Sequence, residues 1–207
     1  MLTAGACARN RQPIAGRFRD RLGALLGRPW TLLEVGSGTG EHAAYLSQAL
    51  DNVTWHPTEA DVDGPLMQSI ALRNAGRANV APVRALDATR HPWPVPADAF
   101  DVVFACNVIH IAPVEVLEGI VAGAYRACRP GGYLVTYGPY KFGGACSPQS
   151  SVDFDAWLRT RDARFGIRDF EHVDRCARDA GFALHACDPM PASNHMCFWV
   201  KAPPPSG

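Results

Sequence analysis

The stretch Leu32-Leu33-Glu34-Val35-Gly36-Ser37-Gly38-Thr39-Gly40 constrains this chain more than any other, because an apolar run breaks into three glycines set two apart. A buried strand emptying into a tight loop has this pattern, and Glu41 to Leu50 then has the composition of a helix. Glycines at 36, 38 and 40 remove the Cβ atoms that would keep a ligand off the main chain, and they permit positive φ. The helix behind the loop offers free N–H groups and the positive end of its dipole. A carboxylate or a phosphate satisfies such an end equally. A turn without a ligand is the plainer reading, but a mere turn rarely needs three glycines.

The acids around the loop choose between the two anions. Glu34 lies two residues before the first glycine and Glu41 directly follows the last. Two carboxylates sit poorly beside a pyrophosphate and well beside an ammonium, so the ligand end expected here is amino-acid-like. The spacing Gly36-x-Gly38-x-Gly40 also departs from the G-x-G-x-x-G dinucleotide pattern, which weakens a nicotinamide reading.

From Thr31 onward apolar runs alternate with helical periodicities, the pattern of an α/β sheet covered on both faces. Strands are expected near 31–35, 52–56, 80–86, 100–106, 131–138, 182–188 and 195–201, and helices near 10–26, 40–50, 64–76, 114–128, 151–160 and 169–180. The 207 residues suit one domain, 1–201, with an N-terminal helical segment 1–28 and a proline-rich tail, 202–207, expected to fray.

Zero formal net charge and a pI near 7.0 give no global field to attract a nucleic acid. The cluster Arg9, Arg11, Arg17, Arg19, Arg21 and Arg28 against a single Asp20 suits an anionic substrate, although arginine outnumbers lysine throughout and a solvated helix face is the blander reading. Seven cysteines, odd in number and without a Cys-x-x-Cys pair, describe neither a zinc site nor a disulfide framework. No apolar run approaches the roughly 20 residues of a spanning helix, and the N-terminus has no apolar signal core. The expectation is a cytoplasmic protein with reduced thiols, no metal and no membrane partner; nothing fixes its oligomeric state.

In an open parallel sheet, ligands bind over the carboxyl ends of the strands. Glu59 lies 23 residues beyond Gly36, near the spacing at which an acid accepts both hydroxyls of a ribose, although an exposed loop acid needs no such role. Asp87 after the third strand can accept from the exocyclic amine of a purine while the main chain at Ala88 reads the ring; its alternative is an Asx-type turn. The fourth strand empties into Asn107 and His110 beside the ligand's reactive end, where a histidine can deprotonate a substrate or serve only as a structural donor. Tyr137, Tyr140 and Lys141 bring phenols and an amine to the same edge.

Together, Glu34-Val35-Gly36-Ser37-Gly38-Thr39-Gly40, the acid after the second strand, Asp87, Phe100-Asp101-Val102-Val103 and Arg129-Pro130-Gly131-Gly132 resemble the class I S-adenosylmethionine-dependent methyltransferases. Within that class the chain resembles the methyltransferase-like 26 family, through Arg9-Asn10-Arg11-Gln12-Pro13-Ile14, Gly38-Thr39-Gly40-Glu41-His42, Asn107-Val108-Ile109-His110-Ile111-Ala112-Pro113, Tyr137-Gly138-Pro139-Tyr140 and Met190-Pro191-Ala192-Ser193-Asn194. It departs from that family at Arg11, Glu59 and Ser193, where members tend to carry Lys, Asp and Asn.

The resemblance implies a Rossmann-like doubly wound seven-stranded sheet in the order 3-2-1-4-5-7-6 with the last strand antiparallel. It implies S-adenosyl-L-methionine as cofactor, held by Glu34, Gly36, Ser37, Gly38, Glu59, Asp87, Ala88 and Asn107, and methyl transfer to a small molecule. Asn10, His110, Tyr137, Tyr140 and Asn194 would line the acceptor side, with His110 and Tyr140 the catalytic candidates. Another reaction of the same sulfonium, such as cyclisation releasing methylthioadenosine, and a non-catalytic binding protein stand as the alternatives.

Overall fold

The computed structural model describes residues 2–3, 5–61 and 63–202. The expected fraying tail lies outside the described residues from 203 on. Helix α1 (Gly5–Leu26) precedes β1 (Trp30–Val35), α2 (Glu41–Ala49), β2 (Val53–Glu59), α3 (Pro65–Asn74), β3 (Arg84–Ala85) and β4 (Phe100–Cys106). Then follow α4 (Val114–Ala127), β5 (Cys128–Lys141), α5 (Gln149–Arg161), β6 (Arg168–Asp169), α6 (Phe170–Asp179), β7 (Phe182–Met190) and β8 (Asn194–Lys201).

The strands lie in the order β3-β2-β1-β4-β5-β8-β7 with β8 antiparallel to both its neighbours, and β6 adds a two-residue pairing beside the end of β5. Apart from that extra pairing, the arrangement is the expected single-domain doubly wound sheet. No helix among the described residues is long and apolar enough to cross a membrane.

Alternation along β1 explains why both Leu32 and Leu33 are apolar. Successive side chains leave opposite faces of a strand, and both faces of this sheet are covered. Leu32 packs with Ile14, Phe18, Leu46 and Trp55 under α1 and α2. Leu33 packs with Val103, Ile120 and Val121 under α4. At the opposite end of the sheet Asp101, 1% exposed, accepts from the Thr31 amide at 2.8 Å and pairs with Arg28 at 2.7 Å and Arg129 at 3.2 Å. A buried carboxylate is tolerated only with such partners, and this one ties β1 to β4 and β5.

Four elements differ most from expectation. The third strand shrinks from 80–86 to Arg84–Ala85, because Pro82 has no N–H for the ladder; only a single bridge at Val80 to Trp55 remains of its first half. Helix α1 begins five residues earlier than the periodicity suggested. Strand β2 runs through Glu59 and β5 through Lys141, so Thr58-Glu59 and Pro139 to Lys141 stand on strands, not in loops.

Candidate functional site

The glycine loop leaves β1 with φ of 69° at Gly36, 55° at Gly38 and 78° at Gly40, all in the left-handed region that side chains disfavour. The three differ in what surrounds them. A Cβ at Gly40 would lie 2.9 Å from the Ile70 Cα, so close packing of α2 on α3 requires that glycine. One at Gly38 would meet no protein atom within 4 Å and would project into open space. That space is a cavity of about 870 Å³ over the carboxyl ends of the central strands, within the roughly 300–1,000 Å³ typical of small-molecule sites.

Glu34 and Glu59 hold the loop from either side. The Glu34 carboxylate, 1% exposed, accepts from Ser37 Oγ at 2.8 Å and Trp55 Nε1 at 2.9 Å. Glu59 accepts from the Gly38 amide at 2.9 Å and from the Ala60 amide at 2.9 Å. Burial pushes the Glu34 carboxyl up to about 7 against the pull of its two hydrogen bonds, and the charge of Glu59 adds to the rise. Helix α2 starts behind the loop, with Gly40 at its N-cap and no side-chain cap from that residue.

Gly36, Ser37, Asp87, Ala88 and Asn107 also line the cavity. Asp87 does so from an Asx-type turn: one carboxylate oxygen accepts from the Thr89 amide at 2.9 Å and from its hydroxyl at 2.7 Å, and the other pairs with Arg90 at 3.1 Å. Those Thr89 bonds hold the Asp87 carboxyl below its ordinary range. The Asx-type turn is therefore present, and it leaves Asp87 on the cavity wall.

Toward β4 and β5 the wall changes character. His110 lines the cavity at 3% exposure with its ring edge against Phe154, centroids 5.7 Å apart, and its Nδ1 makes no hydrogen bond among the described residues. Burial, with Arg168 acting in the same direction, pushes His110 down to about 4. His42 is likewise held at about 4 by burial, and its Nε2 lies 3.4 Å from the Cys106 thiol, itself raised well above its ordinary value by burial. With both members neutral this is no thiolate–imidazolium pair, so Cys106 is not an activated nucleophile. His110 presents a neutral imidazole that can accept a hydrogen bond at neutral pH, and the burial that lowers it to about 4 weakens it as a proton acceptor.

Asn10 and Asn194 complete the lining, but Tyr137 and Tyr140 are not brought to it. Because β5 continues through Lys141, alternation sends the two phenols to opposite faces. Tyr137 sits under α1 with Ile14 and Phe18, its hydroxyl near Asn194 without a hydrogen bond of good geometry. Tyr140 enters the other core, bonding Thr136 and packing on Phe170. As a catalytic or substrate-binding candidate Tyr140 is corrected by this geometry, and so is Tyr137 as a substrate-binding one: neither lines the cavity, and the Tyr140 hydroxyl is partnered by Thr136.

Cys7, Arg9, His42, Cys106 and Phe154 line the site without having been singled out. A signal existed for the first of these: Cys7, Asn10, Ile14 and Phe18 follow helical spacing, and the face continues the one buried deeper in α1. Phe154 on α5 carried none.

Known structures share this fold. An O-methyltransferase family protein from Burkholderia thailandensis superposes with a TM-score of 0.74 at 17% identity, covering 96% of this chain and 58% of that one. An O-methyltransferase family 2 protein from Planctomyces limnophilus, solved in complex with apigenin, gives 0.74 at 19% identity, covering 95% of this chain and 60% of its own. The chain therefore spans little more than half the length of these structures, and at such identities they establish the fold alone. A highly reducing polyketide synthase of Aspergillus aculeatus is 29% identical over 108 residues, half of this chain and 4% of that protein. The family described as "Protein of unknown function (DUF938)" matches residues 1–201, and the chain belongs to it.

Proposed function

We propose that this protein transfers a methyl group from S-adenosyl-L-methionine to a small-molecule acceptor. The observation carrying the reading is the bare glycine cradle between Glu34 and Glu59, open to one cavity at the carboxyl edge. The residues fit the donor: Gly38 leaves the space its own Cβ would fill, Glu34 matches an ammonium, and Glu59 and Asp87 suit a ribose and an amino-purine. The likeness of the loops to class I methyltransferases, and to the methyltransferase-like 26 family within them, supports the same reading, as do the fold neighbours.

When bound, the donor supplies an already activated methyl carbon. What remains for the protein is to hold a nucleophile in line and exclude water, and such positioning can lower a barrier by up to about 7–11 kcal/mol. His110 is the candidate general base for a hydroxyl acceptor, a carboxylate acceptor needs none, and Asn10, Asn107 and Asn194 offer neutral hydrogen bonds that orient either. The enclosed volume and absence of net charge favour a small acceptor over a nucleic acid.

Thermal unfolding with added S-adenosylhomocysteine tests the reading. A saturable rise is expected, on the order of 2.7 kcal/mol at a hundredfold excess over Kd. No rise, together with one caused by a nicotinamide dinucleotide, overturns it.

A further inference from the structure

The arginines of the N-terminal segment divide sharply by what they touch. Arg17 and Arg21 both pair with Asp188, Arg19 donates to the Ala49 carbonyl, Arg28 pairs with Asp101, and Arg11 lies 4.6 Å over the Tyr45 ring. Arg9 has no hydrogen bond, ion pair or ring contact among the described residues, and it lines the cavity. The solvated-face reading therefore suits its neighbours on α1 better than it suits Arg9.

The residue beside it is the second observation. Asn10 is 7% exposed, lines the same cavity and makes no side-chain hydrogen bond among the described residues. A buried amide normally has partners, and one turned into a cavity without them is a ligand contact in waiting. The helix that carries both residues packs its Ile14 and Phe18 in one core with Tyr137 of β5, which brings α1 over that part of the sheet. Asp87, Glu59 and Glu34 are acids of the cavity wall, and among the described residues Arg9 is the one arginine or lysine that joins them.

We propose that Arg9 and Asn10 form a carboxylate-binding subsite at the β5 end of the cavity. A guanidinium presents two parallel N–H groups that match a carboxylate, and the adjacent amide donates a third. The carboxylate can belong to the amino-acid end of the donor or to the acceptor, and the first of these sources rests on the function proposed above. If it is the acceptor's, the substrate class narrows to small organic acids.

Calorimetric titration of the wild-type protein and Arg9→Gln separates the cases. Arg9 is exposed and makes no hydrogen bond, ion pair or ring contact among the described residues, so the variant is expected to keep its circular dichroism and Tm. If the donor's carboxylate docks here, Arg9→Gln weakens S-adenosylhomocysteine by about tenfold or more, as loss of a hydrogen bond to a charged group does, and leaves 5′-methylthioadenosine, which has no carboxylate, unchanged. If the acceptor's docks here, both nucleosides bind both proteins equally, while benzoate stabilises the S-adenosylhomocysteine-loaded wild type and not the variant. Equal behaviour of the two proteins toward all three compounds overturns the proposal. Should the wild type bind neither nucleoside, the methyl-donor reading fails by itself; benzoate with the unloaded proteins then decides the subsite, supported by saturable binding lost in Arg9→Gln and overturned without it.

Discussion

The two ends of the cavity are built from different materials. The end over β1 and β2 is main chain and carboxylate: a loop at positive φ, held by Glu34 through Ser37 and by Glu59 through the Gly38 amide. The end over β4 and β5 is neutral side chain, with His42 and His110 stripped of charge by burial and Cys106 kept as a thiol. Arg9 is the exception there. A fixed backbone cradle is suited to one invariant ligand, whereas neutral donors and acceptors on several helices can be rearranged for different acceptors without disturbing the cradle.

Substitutions within the glycine loop test that division most severely. Gly40→Ala combines a left-handed side chain, costing about 1–2 kcal/mol, with a clash against the Ile70 backbone, for which overpacking costs typically about 1–3 kcal/mol. Urea unfolding should show a loss of this combined size. Gly38→Ala carries only the first cost, and its methyl group enters the cavity. It should therefore fold and fail to bind S-adenosylhomocysteine. Equal stability losses in the two variants would erase the distinction between a packing glycine and a ligand-facing one.

Glu34 comes next. Its folded value of about 7 lies above the ordinary carboxylate value of 4.5, so the native state holds this proton more tightly than the unfolded chain. Its contribution to stability is present at low pH and is lost as pH rises from about 4.5 through 7, by on the order of 3 kcal/mol. Urea midpoints for Glu34→Gln should lack this part of the pH dependence. An ammonium-bearing ligand should also displace the proton, so donor binding should strengthen above pH 7 and release protons in calorimetry. A pH-independent affinity would separate Glu34 from the ammonium.

Glu59→Ala should weaken nucleoside binding by about ten- to a hundredfold, the size of one or two charge-assisted hydrogen bonds, while the circular dichroism spectrum stays intact. An unchanged Kd would remove Glu59 from the ribose. The smallest effect belongs to Tyr140→Phe. Losing the bond to Thr136 costs about 1–2 kcal/mol of stability, with turnover unaltered; a loss of turnover at equal donor affinity would return that phenol to the chemistry.

The backbone end of the site is what the sequence makes legible. Glycine spacing and an apolar run report directly on main-chain geometry, so Gly36, Gly38, Glu34 and Glu59 could be located from order along the chain. The other end depends on which way a side chain turns. Tyr140 was misplaced because its strand was expected to stop at 138; three more residues of β5 fix its parity with Leu134, on the face away from α1. Arg9 was treated as one of a charged group because the partners of the other arginines, Asp188 above all, lie far away in sequence. Long-range pairing leaves no local pattern.

The shortness of β3 has a bearing on solubility. A sheet margin exposes unpaired peptide groups on which a second chain can build, and long flat margins invite fibrils. With only Arg84 and Ala85 in register and Arg84 exposed, one flank of this molecule offers almost no template. On the other flank, the register shift between Leu184 and Ala186 breaks the regular ladder of β7. Proline at 82 thereby shortens the exposed margin while leaving the cavity edge of the sheet untouched.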